Sequence, residues 1–266
     1  MSDAIEILNL SRYYGAVKAV DGISLTIPRG EIFGLLGPNG AGKSTTVKML
    51  TTLLPPTSGT ALVLGCDIVK DPSGIREKIG YVPQLLSADG DLTGYENLLI
   101  SAKYYGLDSG RRKARIREVL AFMGLTEFAD QLASTYSGGM IRRLEIGAAL
   151  LHEPEVLFLD EPTVGLDPSA RKSLWENIEE LQSRYGTTIL LTTHDMDEAD
   201  RLCDRVAFMY QGRIVCIGAP EKLKADIGGK PGTLGDVFIY YTGTSVKQGD
   251  DLDHVRQVRR TISRLD

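Results

Sequence analysis

A glycine-rich segment contains the residue types that bind nucleotide phosphates. Residues 37–44 read Gly-Pro-Asn-Gly-Ala-Gly-Lys-Ser and fit the pattern G-x-x-x-x-G-K-[ST]. Glycines let backbone N–H groups turn toward a β-phosphate, and a helix that starts here adds its positive N-terminal end. Lys43 is expected to reach the β- and γ-phosphates, and the Ser44 hydroxyl to coordinate Mg²⁺. We therefore predict that the chain binds a nucleoside triphosphate. The predicted phosphate-binding residues are Gly37, Pro38, Asn39, Gly40, Ala41, Gly42, Lys43, Ser44 and Thr45.

Two adjacent acidic residues form a second candidate site. Asp160 and Glu161 follow a continuous apolar run, residues 156–159, which has the pattern of a buried strand. A carboxylate at the end of a core strand, beside a phosphate loop, can hold Mg²⁺ through its water shell. The next acid, Glu161, can accept a proton from a hydrolytic water as a general base. The alternative interpretation is that the two acids only mark the place where a strand meets solvent. The neighbouring phosphate loop favours the catalytic interpretation.

The elements that must position these residues alternate between strand-like and helix-like segments. Residues 32–36 read as a buried strand before the phosphate loop, and residues 45–50 as a helix after it. Gln211 and Gly212 have the composition of a turn between two further strands. This alternation predicts an α/β sheet with crossover helices. The other predicted strands are residues 5–10, 23–27, 61–64, 79–82, 156–159, 188–191, 206–210 and 213–217.

A helical lobe is predicted to be inserted into the α/β core at residues 85–153. Thr93 and Glu96 fit a capping box at the start of one helix. Apolar residues recur at helical spacing from Ile116 to Met123, and Gly124 fits a C-terminal stop. A basic cluster begins the same helix, and we expect it to be a solvated face rather than a binding patch. The cluster consists of Arg111, Arg112, Lys113, Arg115 and Arg117.

The overall composition is that of an ordinary globular protein. The 266 residues include 42% apolar and 24% charged residues, and the net charge is −5. The negative charge argues against broad contact with nucleic acid, so we expect no nucleic-acid partner. No apolar run is long enough for a membrane span, and the N-terminus lacks the pattern of a signal peptide. Three widely spaced cysteines, without metal-ligand spacing, indicate a reducing compartment.

A second glycine-containing turn lies just before the strand that ends in Asp160. Ser137, Gly138 and Gly139 precede a helix-like segment and form another candidate phosphate-binding turn. In this position they resemble the LSGGQ signature of ABC-type ATPases. One subunit has no use for two such turns on one nucleotide. The resemblance implies two subunits packed head to tail, in which each signature contacts the γ-phosphate held by its partner.

Further residues match the ABC pattern in the same order, over nearly all of residues 4–245. Tyr14 matches the aromatic residue that stacks on adenine. Gln84 matches the glutamine that touches Mg²⁺ and the attacking water. Asp167 matches the D-loop aspartate that works across the dimer interface, and His194 matches the histidine that contacts the γ-phosphate. The expected catalytic residues are therefore Lys43, Gln84, Glu161 and His194, and the expected Mg²⁺ residues are Ser44, Gln84 and Asp160.

The resemblance also implies a fold. The expected class is α/β, with a P-loop NTPase core of RecA-like mixed sheet and flanking helices, an N-terminal antiparallel β-subdomain and the inserted α-helical lobe. We expect the ATP-binding domain to span residues 4–232 and a closing helix to span residues 233–246. Residues 247–266 are expected to form a charged amphipathic tail. In this tail, docking on the protein's own core is favoured over a subunit contact or a frayed end.

The signature departs from the family pattern at two positions. The usual leucine is Tyr136, and the usual glutamine is Met140, whose thioether lacks the hydrogen bonds of an amide. The form Tyr-Ser-Gly-Gly-Met, followed by two arginines and a leucine, resembles the daunorubicin-resistance branch of bacterial and archaeal exporters. Residues 233–243 resemble the closing helix of that branch. Four of its residues share one face that is expected to pack on the core: Leu234, Val237, Phe238 and Tyr241.

The resemblance implies a function in transport. The chain is expected to be the ATP-binding and ATP-hydrolysing subunit of an ABC transporter of the exporter type, with ATP as substrate and Mg²⁺ as cofactor. Its expected partners are an integral membrane permease and a second ATPase subunit, in a homodimer or a mixed pair. The expected location is peripheral, on the cytoplasmic face of the cell membrane. We expect the permease to dock near Gln84 and residues 92–99.

Two other classes of function are the alternatives to a transporter subunit. A soluble ABC ATPase that acts on ribosomes normally carries two cassettes, and one that repairs DNA carries a long coiled coil. The sequence has a single phosphate loop and no sustained heptads. An ATP-gated clamp with little hydrolysis has no need of Glu161 or His194. A transporter subunit is therefore the favoured prediction, with a soluble ABC ATPase as the alternative.

Overall fold

The strands form two sheets in the computed structural model, which describes residues 3–227 and 232–243. The smaller sheet is antiparallel, with strand order β2-β1-β4-β5. Its strands are β1 (Ile5–Tyr14), β2 (Val17–Ile27), β4 (Ser58–Val63) and β5 (Cys66–Asp67). The larger sheet is mixed, with order β10-β9-β3-β8-β7-β6. Its strands are β3 (Ile32–Leu36), β6 (Ile79–Val82), β7 (Val156–Asp160), β8 (Thr188–Thr193), β9 (Arg205–Tyr210) and β10 (Arg213–Gly218).

The helices surround the larger sheet and fill the predicted lobe. They are α1 (Lys43–Leu50), α2 (Pro72–Arg76), α3 (Gly94–Tyr104), α4 (Ser109–Phe122), α5 (Gly138–Leu150), α6 (Pro168–Tyr185), α7 (Met196–Leu202), α8 (Pro220–Asp226) and α9 (Leu234–Thr242). With the two sheets they confirm the predicted fold class. No described helix is long and apolar enough to cross a membrane.

Strands β3, β7 and β8 are buried along their whole length, which explains their continuous apolar runs. Alternate side chains of β3 enter two different cores. Ile32 and Leu36 pack in the core that includes α6, whereas Phe33 and Leu35 pack in the core that includes α1 and the smaller sheet. The three strands are parallel, so their carboxyl ends lie along one edge of the sheet. The phosphate loop and both acidic residues start from that edge.

Residues 85–153 contain α3, α4, α5 and two short 3₁₀ turns. The Thr93 hydroxyl accepts a hydrogen bond from Glu96 N, and the Glu96 carboxylate accepts one from Thr93 N. This confirms the predicted capping box. Gly124 follows α4 with a φ of 63°, a conformation that favours glycine and ends the helix.

One residue of the basic cluster contradicts the prediction of a solvated face. Arg115 is 9% exposed, and its guanidinium donates to the carbonyl oxygens of Leu150 (2.8 Å) and Leu151 (3.2 Å). The last carbonyls of a helix have no intrahelical partner, and a cation also suits the negative end of α5. For Arg115 the prediction is therefore wrong. Arg115 is buried because its guanidinium binds the carbonyl groups at the C-terminal end of α5.

The described C-terminal part packs on the larger sheet through α9. Leu234, Val237 and Phe238 are buried, as predicted, but Tyr241 is 41% exposed and does not belong to the packed face. Thr233 and Asp236 form a second capping box, which starts the helix. The predicted tail at 247–266, with Val255, Val258, Ile262 and Leu265, lies outside the described residues, as do the last residues of the predicted closing helix.

Candidate functional site

The phosphate loop connects β3 to α1 and depends on glycine for space. A Cβ on Gly37 would lie 2.2 Å from Met209 O, and a Cβ on Gly42 would lie 2.3 Å from Ala19 O. Real Cβ atoms are not accommodated at such distances, so only glycine allows the loop to pass this close to β9 and β2. The loop ends at Gly42, the N-cap of α1. The unpaired N–H groups and the positive end of α1 therefore belong to the loop, as an anion site requires.

Lys43 is the first residue of α1 and is only 4% exposed. Its ammonium group donates to the carbonyl oxygens of Gly37 (2.7 Å) and Pro38 (3.2 Å), and lies 3.1 Å from Glu161 Oε1. Burial lowers the pKa of Lys43, and the charge and hydrogen bond of Glu161 oppose that shift. The loop backbone and Glu161 thus hold the ammonium at the mouth of the phosphate loop.

Asp160 is the last residue of β7 and is 2% exposed. Its Oδ1 accepts hydrogen bonds from the Ser44 hydroxyl (3.0 Å) and from the Thr192 hydroxyl (2.6 Å). Hydroxyl and carboxylate oxygens are hard ligands of the kind that Mg²⁺ prefers. Ser44 Oγ and Asp160 Oδ1 are close enough to share one small cation. The donor set of this pair therefore fits Mg²⁺.

Thr192 is a site residue that the sequence analysis missed. It is fully buried in β8, directly opposite Asp160 in the parallel register. Its hydroxyl donates to Asp160 and also accepts the hydrogen bond of Glu161 N (3.0 Å). A threonine in an apolar strand gives no functional signal by itself. Only the register between β7 and β8 shows that it supports both acids.

Glu161 lies where the other predicted catalytic side chains meet. Its Oε2 accepts a hydrogen bond from Gln84 Nε2 (3.3 Å) and lies 3.2 Å from His194 Nδ1, while its Oε1 faces Lys43. The Glu161 backbone has a φ of 50°, which is rare for a residue with a side chain. Two hydrogen bonds from Glu161 N to Thr192 hold this turn.

The charges of these side chains are coupled. Burial acts to raise the pKa of Glu161, but the hydrogen bond of His194 and the charge of Lys43 outweigh it, and the pKa is lowered. The same hydrogen bond raises the pKa of His194. An ionised carboxylate can accept a proton, so Glu161 has the protonation state of a base at neutral pH.

The signature-like turn begins α5 and packs against α6. Ser137 is exposed and caps α5, where its hydroxyl accepts a hydrogen bond from Met140 N (3.3 Å). A Cβ on the buried Gly139 would lie 2.7 Å from the Cβ of Ala170 in α6, so the turn packs closely on that helix. Asp167 caps α6 and accepts from Ser169 N and Ala170 N. The structure thus packs the signature turn, residues 137–139, against the N-terminal end of α6, which Asp167 caps. The hydrogen bonds described for Ser137 and Asp167 stay within their own helices.

The two departures from the signature pattern have structural explanations. Tyr136 is 9% exposed, and its hydroxyl donates a 2.6 Å hydrogen bond to Phe128 O inside the lobe. Met140 packs against the core that includes α6.

Tyr14, at the end of β1, is partly exposed, and the Arg12 guanidinium lies 4.8 Å from its ring centroid. Tyr136 and Met140 therefore contribute to packing, whereas the ring of Tyr14 remains accessible.

Comparisons with known proteins agree with this geometry. The family model described as "ABC transporter" matches residues 20–164. The daunorubicin/doxorubicin resistance ATP-binding protein DrrA of Streptomyces peucetius is 46% identical over 225 residues, which are 85% of this chain and 68% of that protein. The linearmycin resistance ATP-binding protein LnrL of Bacillus subtilis is 46% identical over 240 residues, or 90% of this chain and 75% of that protein.

A solved structure of an ATP-binding subunit of an ABC transporter superposes with a TM-score of 0.79 at 30% identity. It covers 90% of this chain, and 99% of that chain is covered. The family match includes the phosphate loop, the acidic pair and the lobe between them. The chain belongs to the ABC transporter family, and it is an ATP-binding subunit that hydrolyses ATP to power transport.

Proposed function

We propose that this ATPase drives an exporter whose pathway is formed by a separate membrane permease, with Glu161 as the catalytic base. The observation that carries the proposal is the convergence of Lys43, Gln84 and His194 on one buried carboxylate, each within 3.3 Å of it. This carboxylate adjoins the pair of Ser44 and Asp160, which suits a divalent cation. A general base beside a phosphate loop is the arrangement that hydrolysis of a phosphoanhydride requires.

The proposed steps assign one task to each side chain. The backbone of residues 37–45 and the Lys43 ammonium bind the β- and γ-phosphates of ATP. Ser44, Asp160 and Gln84 would hold Mg²⁺, which when bound would neutralise charge on the phosphate oxygens. Gln84 and His194 orient the attacking water and the γ-phosphate. Glu161 takes the proton of that water, and its lowered pKa keeps it ionised for this purpose.

Adenine recognition is assigned to Tyr14. The Arg12 guanidinium stacks on the ring of Tyr14 and fixes its orientation through a cation–π contact. Arg12 is itself held by a 3.0 Å hydrogen bond to Pro55 O. An aromatic face can stack on any base, so this contact contributes affinity more than selectivity.

A second ATPase subunit, identical or paired, is proposed to complete the site. Ser137 and Gly138 are exposed at the start of α5, and the hydrogen bond that the Ser137 hydroxyl accepts comes from Met140 N of the same helix. In a head-to-tail pair, the signature turn of each subunit contacts the γ-phosphate bound by the other, and Asp167 lies at the interface. Binding of ATP then closes the pair, and hydrolysis reopens it, so the partner permease is moved by rigid-body rotation.

The permease is proposed to bind an exposed apolar patch beside Gln84. This docking patch consists of Leu85, Leu86, Ile100 and Tyr104, which are 78%, 54%, 54% and 88% exposed. Contiguous exposed apolar side chains mark interaction surfaces. The patch has residues on the loop that carries Gln84 and on α3, and we propose that binding of the permease there holds the subunit at the cytoplasmic face of the membrane. The two relatives confer resistance to daunorubicin/doxorubicin and to linearmycin, so we propose a drug or antibiotic as cargo.

Copurification tests the proposal. The tagged chain, taken from gently solubilised membranes of its own cell, is expected to retain a polytopic membrane protein in stoichiometric amount. Ile100→Glu places a charge in the docking patch and is expected to release that protein while ATP binding persists. Leu8→Glu is the matched control, because Leu8 is 61% exposed on β1 of the smaller sheet and should leave the complex intact. Copurification of ribosomal proteins or nucleic acid without a membrane protein would instead indicate the soluble alternative.

A further inference from the structure

Helix α5 contains a buried ion pair that has no part in the proposed steps of ATP binding and hydrolysis. The side chains of Arg142 and Glu145 are 2% and 5% exposed, and Arg142 Nη1 lies 3.1 Å from Glu145 Oε2. Burial lowers the pKa of Arg142, and the charges of Glu145 and Asp160 oppose that shift. Taking two charges out of water is costly unless further hydrogen bonds satisfy them. The hydrogen bonds that Arg142 and Glu145 make to other residues are therefore needed to explain why the pair is buried.

Arg142 binds the start of the loop that follows β6. Its Nη1 donates to Pro83 O (2.6 Å), and its Nη2 donates to Gln84 O (2.7 Å). The planar guanidinium can hold two successive carbonyl groups at once, and a lysine ammonium cannot reproduce this fork. The backbone on both sides of the Gln84 N–H is thus fixed to α5.

Glu145 binds the end of the same loop. Its Oε1 accepts hydrogen bonds from the backbone N of Ser87 and from the Ser87 hydroxyl, the latter at 3.1 Å. The cation therefore meets carbonyl oxygens, and the carboxylate meets N–H and O–H donors. The ion pair thus binds both ends of residues 83–87, and each charge contacts groups of opposite polarity.

The position of this loop connects three parts of the proposed site. The Gln84 side chain lies 3.3 Å from Glu161. Leu85 and Leu86, between the two anchor points, are exposed in the docking patch. Helix α5, to which the loop is bound, begins at the signature turn capped by Ser137. A displacement of the loop relative to α5 would move Gln84 away from Glu161.

We propose that Arg142 and Glu145 are positioning residues for ATP hydrolysis, which fix the loop 83–87 to α5 and so hold the Gln84 amide beside Glu161. The inference rests on the proposed role of Gln84. Neither residue touches the reacting atoms, since their contacts are to the loop backbone and to Ser87. Their effect on hydrolysis is transmitted through Gln84.

A double-mutant cycle on the purified full-length chain tests this transmission. Arg142→Lys is expected to lower kcat about tenfold or more, as loss of an orienting contact around a metal site does, with KM for ATP changed less than about twofold. Gln84→Ala is expected to lower kcat as well. If Arg142 acts through Gln84, Arg142→Lys has no further effect in the Gln84→Ala background. Independent sites would instead multiply their effects, and that result would overturn the proposal.

The single variants separate this inference from the proposed function. A Gln84→Ala protein with unchanged kcat would overturn the role of Gln84 and with it the positioning role of the pair. A lowered kcat in Gln84→Ala together with unchanged kcat in Arg142→Lys would overturn the positioning role alone. Arg143→Lys is the control for substitution on α5, because Arg143 donates to Met123 O (2.9 Å) and does not hold the loop. It is expected to keep the original kcat.

A double variant distinguishes loss of positioning from loss of folding. In Arg142→Met with Glu145→Leu, both charges are replaced by apolar side chains of similar size, so no unpaired charge is left buried. We expect this variant to fold, with a melting temperature lowered by the loss of hydrogen bonds to Pro83 O, Gln84 O and Ser87 N, and with kcat lowered as in Arg142→Lys. A folded double variant with the original kcat would show that the pair is merely structural.

Discussion

The ammonium of Lys43 and the carboxylate of Glu161 face each other at 3.1 Å, with both side chains about 95% buried. Each group changes the titration of the other: burial lowers the pKa of Lys43 and Glu161 opposes this, while Lys43 helps to lower the pKa of Glu161. Lys43 belongs to the phosphate loop and Glu161 to the end of β7. The phosphate-binding cation and the proposed base are therefore one electrostatic unit.

Glu161→Gln should separate nucleotide binding from turnover. Glutamine keeps the shape of the side chain but cannot accept a proton, so we expect hydrolysis to fall by about 10²- to 10⁴-fold, the usual contribution of a general base. ATP binding should persist, because the phosphate loop is unchanged. Single-turnover hydrolysis and equilibrium ATP binding measure the two effects. Glu155→Gln, at an exposed ion pair with Arg29, is the control, and original turnover in Glu161→Gln would remove the assigned role.

Lys43→Ala should weaken nucleotide binding itself. A charge-assisted hydrogen bond contributes about 1.5–3 kcal/mol, so we expect the Kd for ATP to rise at least about tenfold. Lys48→Ala is a matched control, since Lys48 lies on the same helix but is exposed. Calorimetry with a non-hydrolysable ATP analogue measures both variants. Equal affinities of the two variants would contradict the phosphate-loop assignment.

Some site residues could be predicted from the sequence because local patterns place them. Lys43 and Ser44 follow a glycine loop at the start of a helix, and Asp160 follows an apolar strand, so the edge of a parallel sheet brings them together. Thr192 could not be predicted, because its contact with Asp160 depends on the register between two strands distant in sequence. The alternation of elements predicted an α/β sheet, whereas the P-loop core and the N-terminal antiparallel subdomain were implied by the resemblance to ABC-type ATPases.

Burial of charged side chains could not be predicted from the sequence pattern. Arg115 looked like part of a solvated basic face, yet it binds the end of α5. Arg142 and Glu145, three residues apart on α5, have the spacing of an ordinary surface pair, yet both are buried against the loop 83–87. The charge pattern is the same for an exposed helix face and for one covered by a loop. Only tertiary packing distinguishes them.

Thr192→Val should weaken the use of Mg²⁺. Valine has nearly the same shape but removes the hydroxyl that donates to Asp160. We expect a stability loss of about 1–2 kcal/mol, and a rise of about tenfold in the Mg²⁺ concentration needed for hydrolysis. Thr188→Val on the same strand removes a hydroxyl that accepts from Gly30 N, and is expected to cost stability without changing the Mg²⁺ requirement. Identical Mg²⁺ titrations for both variants would contradict the role of Thr192.

Gly94→Ala should destabilise the lobe through a specific clash. The added Cβ would lie 2.2 Å from the hydroxyl oxygen of Tyr136, and overpacking of this kind costs about 1–3 kcal/mol. At about 2–4 °C per kcal/mol, the expected fall in Tm is about 2–12 °C. In the Tyr136→Leu background the clash is gone, so the same substitution should be neutral or slightly stabilising. Additive effects of the two substitutions on Tm would contradict the clash.

The pair of His194 and Glu161 should make stability depend on pH. The hydrogen bond to Glu161 raises the pKa of His194 above its usual 6.5, with Asp195 reinforcing and burial and Lys43 opposing the shift. A raised pKa in the folded state gives stability that is fully present below pH 6.5 and is lost as pH rises through the folded value. The Tm advantage of the unsubstituted chain over His194→Ala should therefore be larger at about pH 5.5 than at about pH 8.5.

His152 provides the opposite sign for comparison with His194. Burial lowers the pKa of His152, whose Nε2 lies 2.9 Å from Ile79 O. The folded state then disfavours the charged imidazole, so the Tm advantage over His152→Ala should grow as pH rises from about 5.5 to about 8.5. Thermal melts of the three proteins across this range measure both trends. Parallel pH dependences of the two histidine variants would contradict the assigned pairing, because desolvation alone lowers the pKa of both rings.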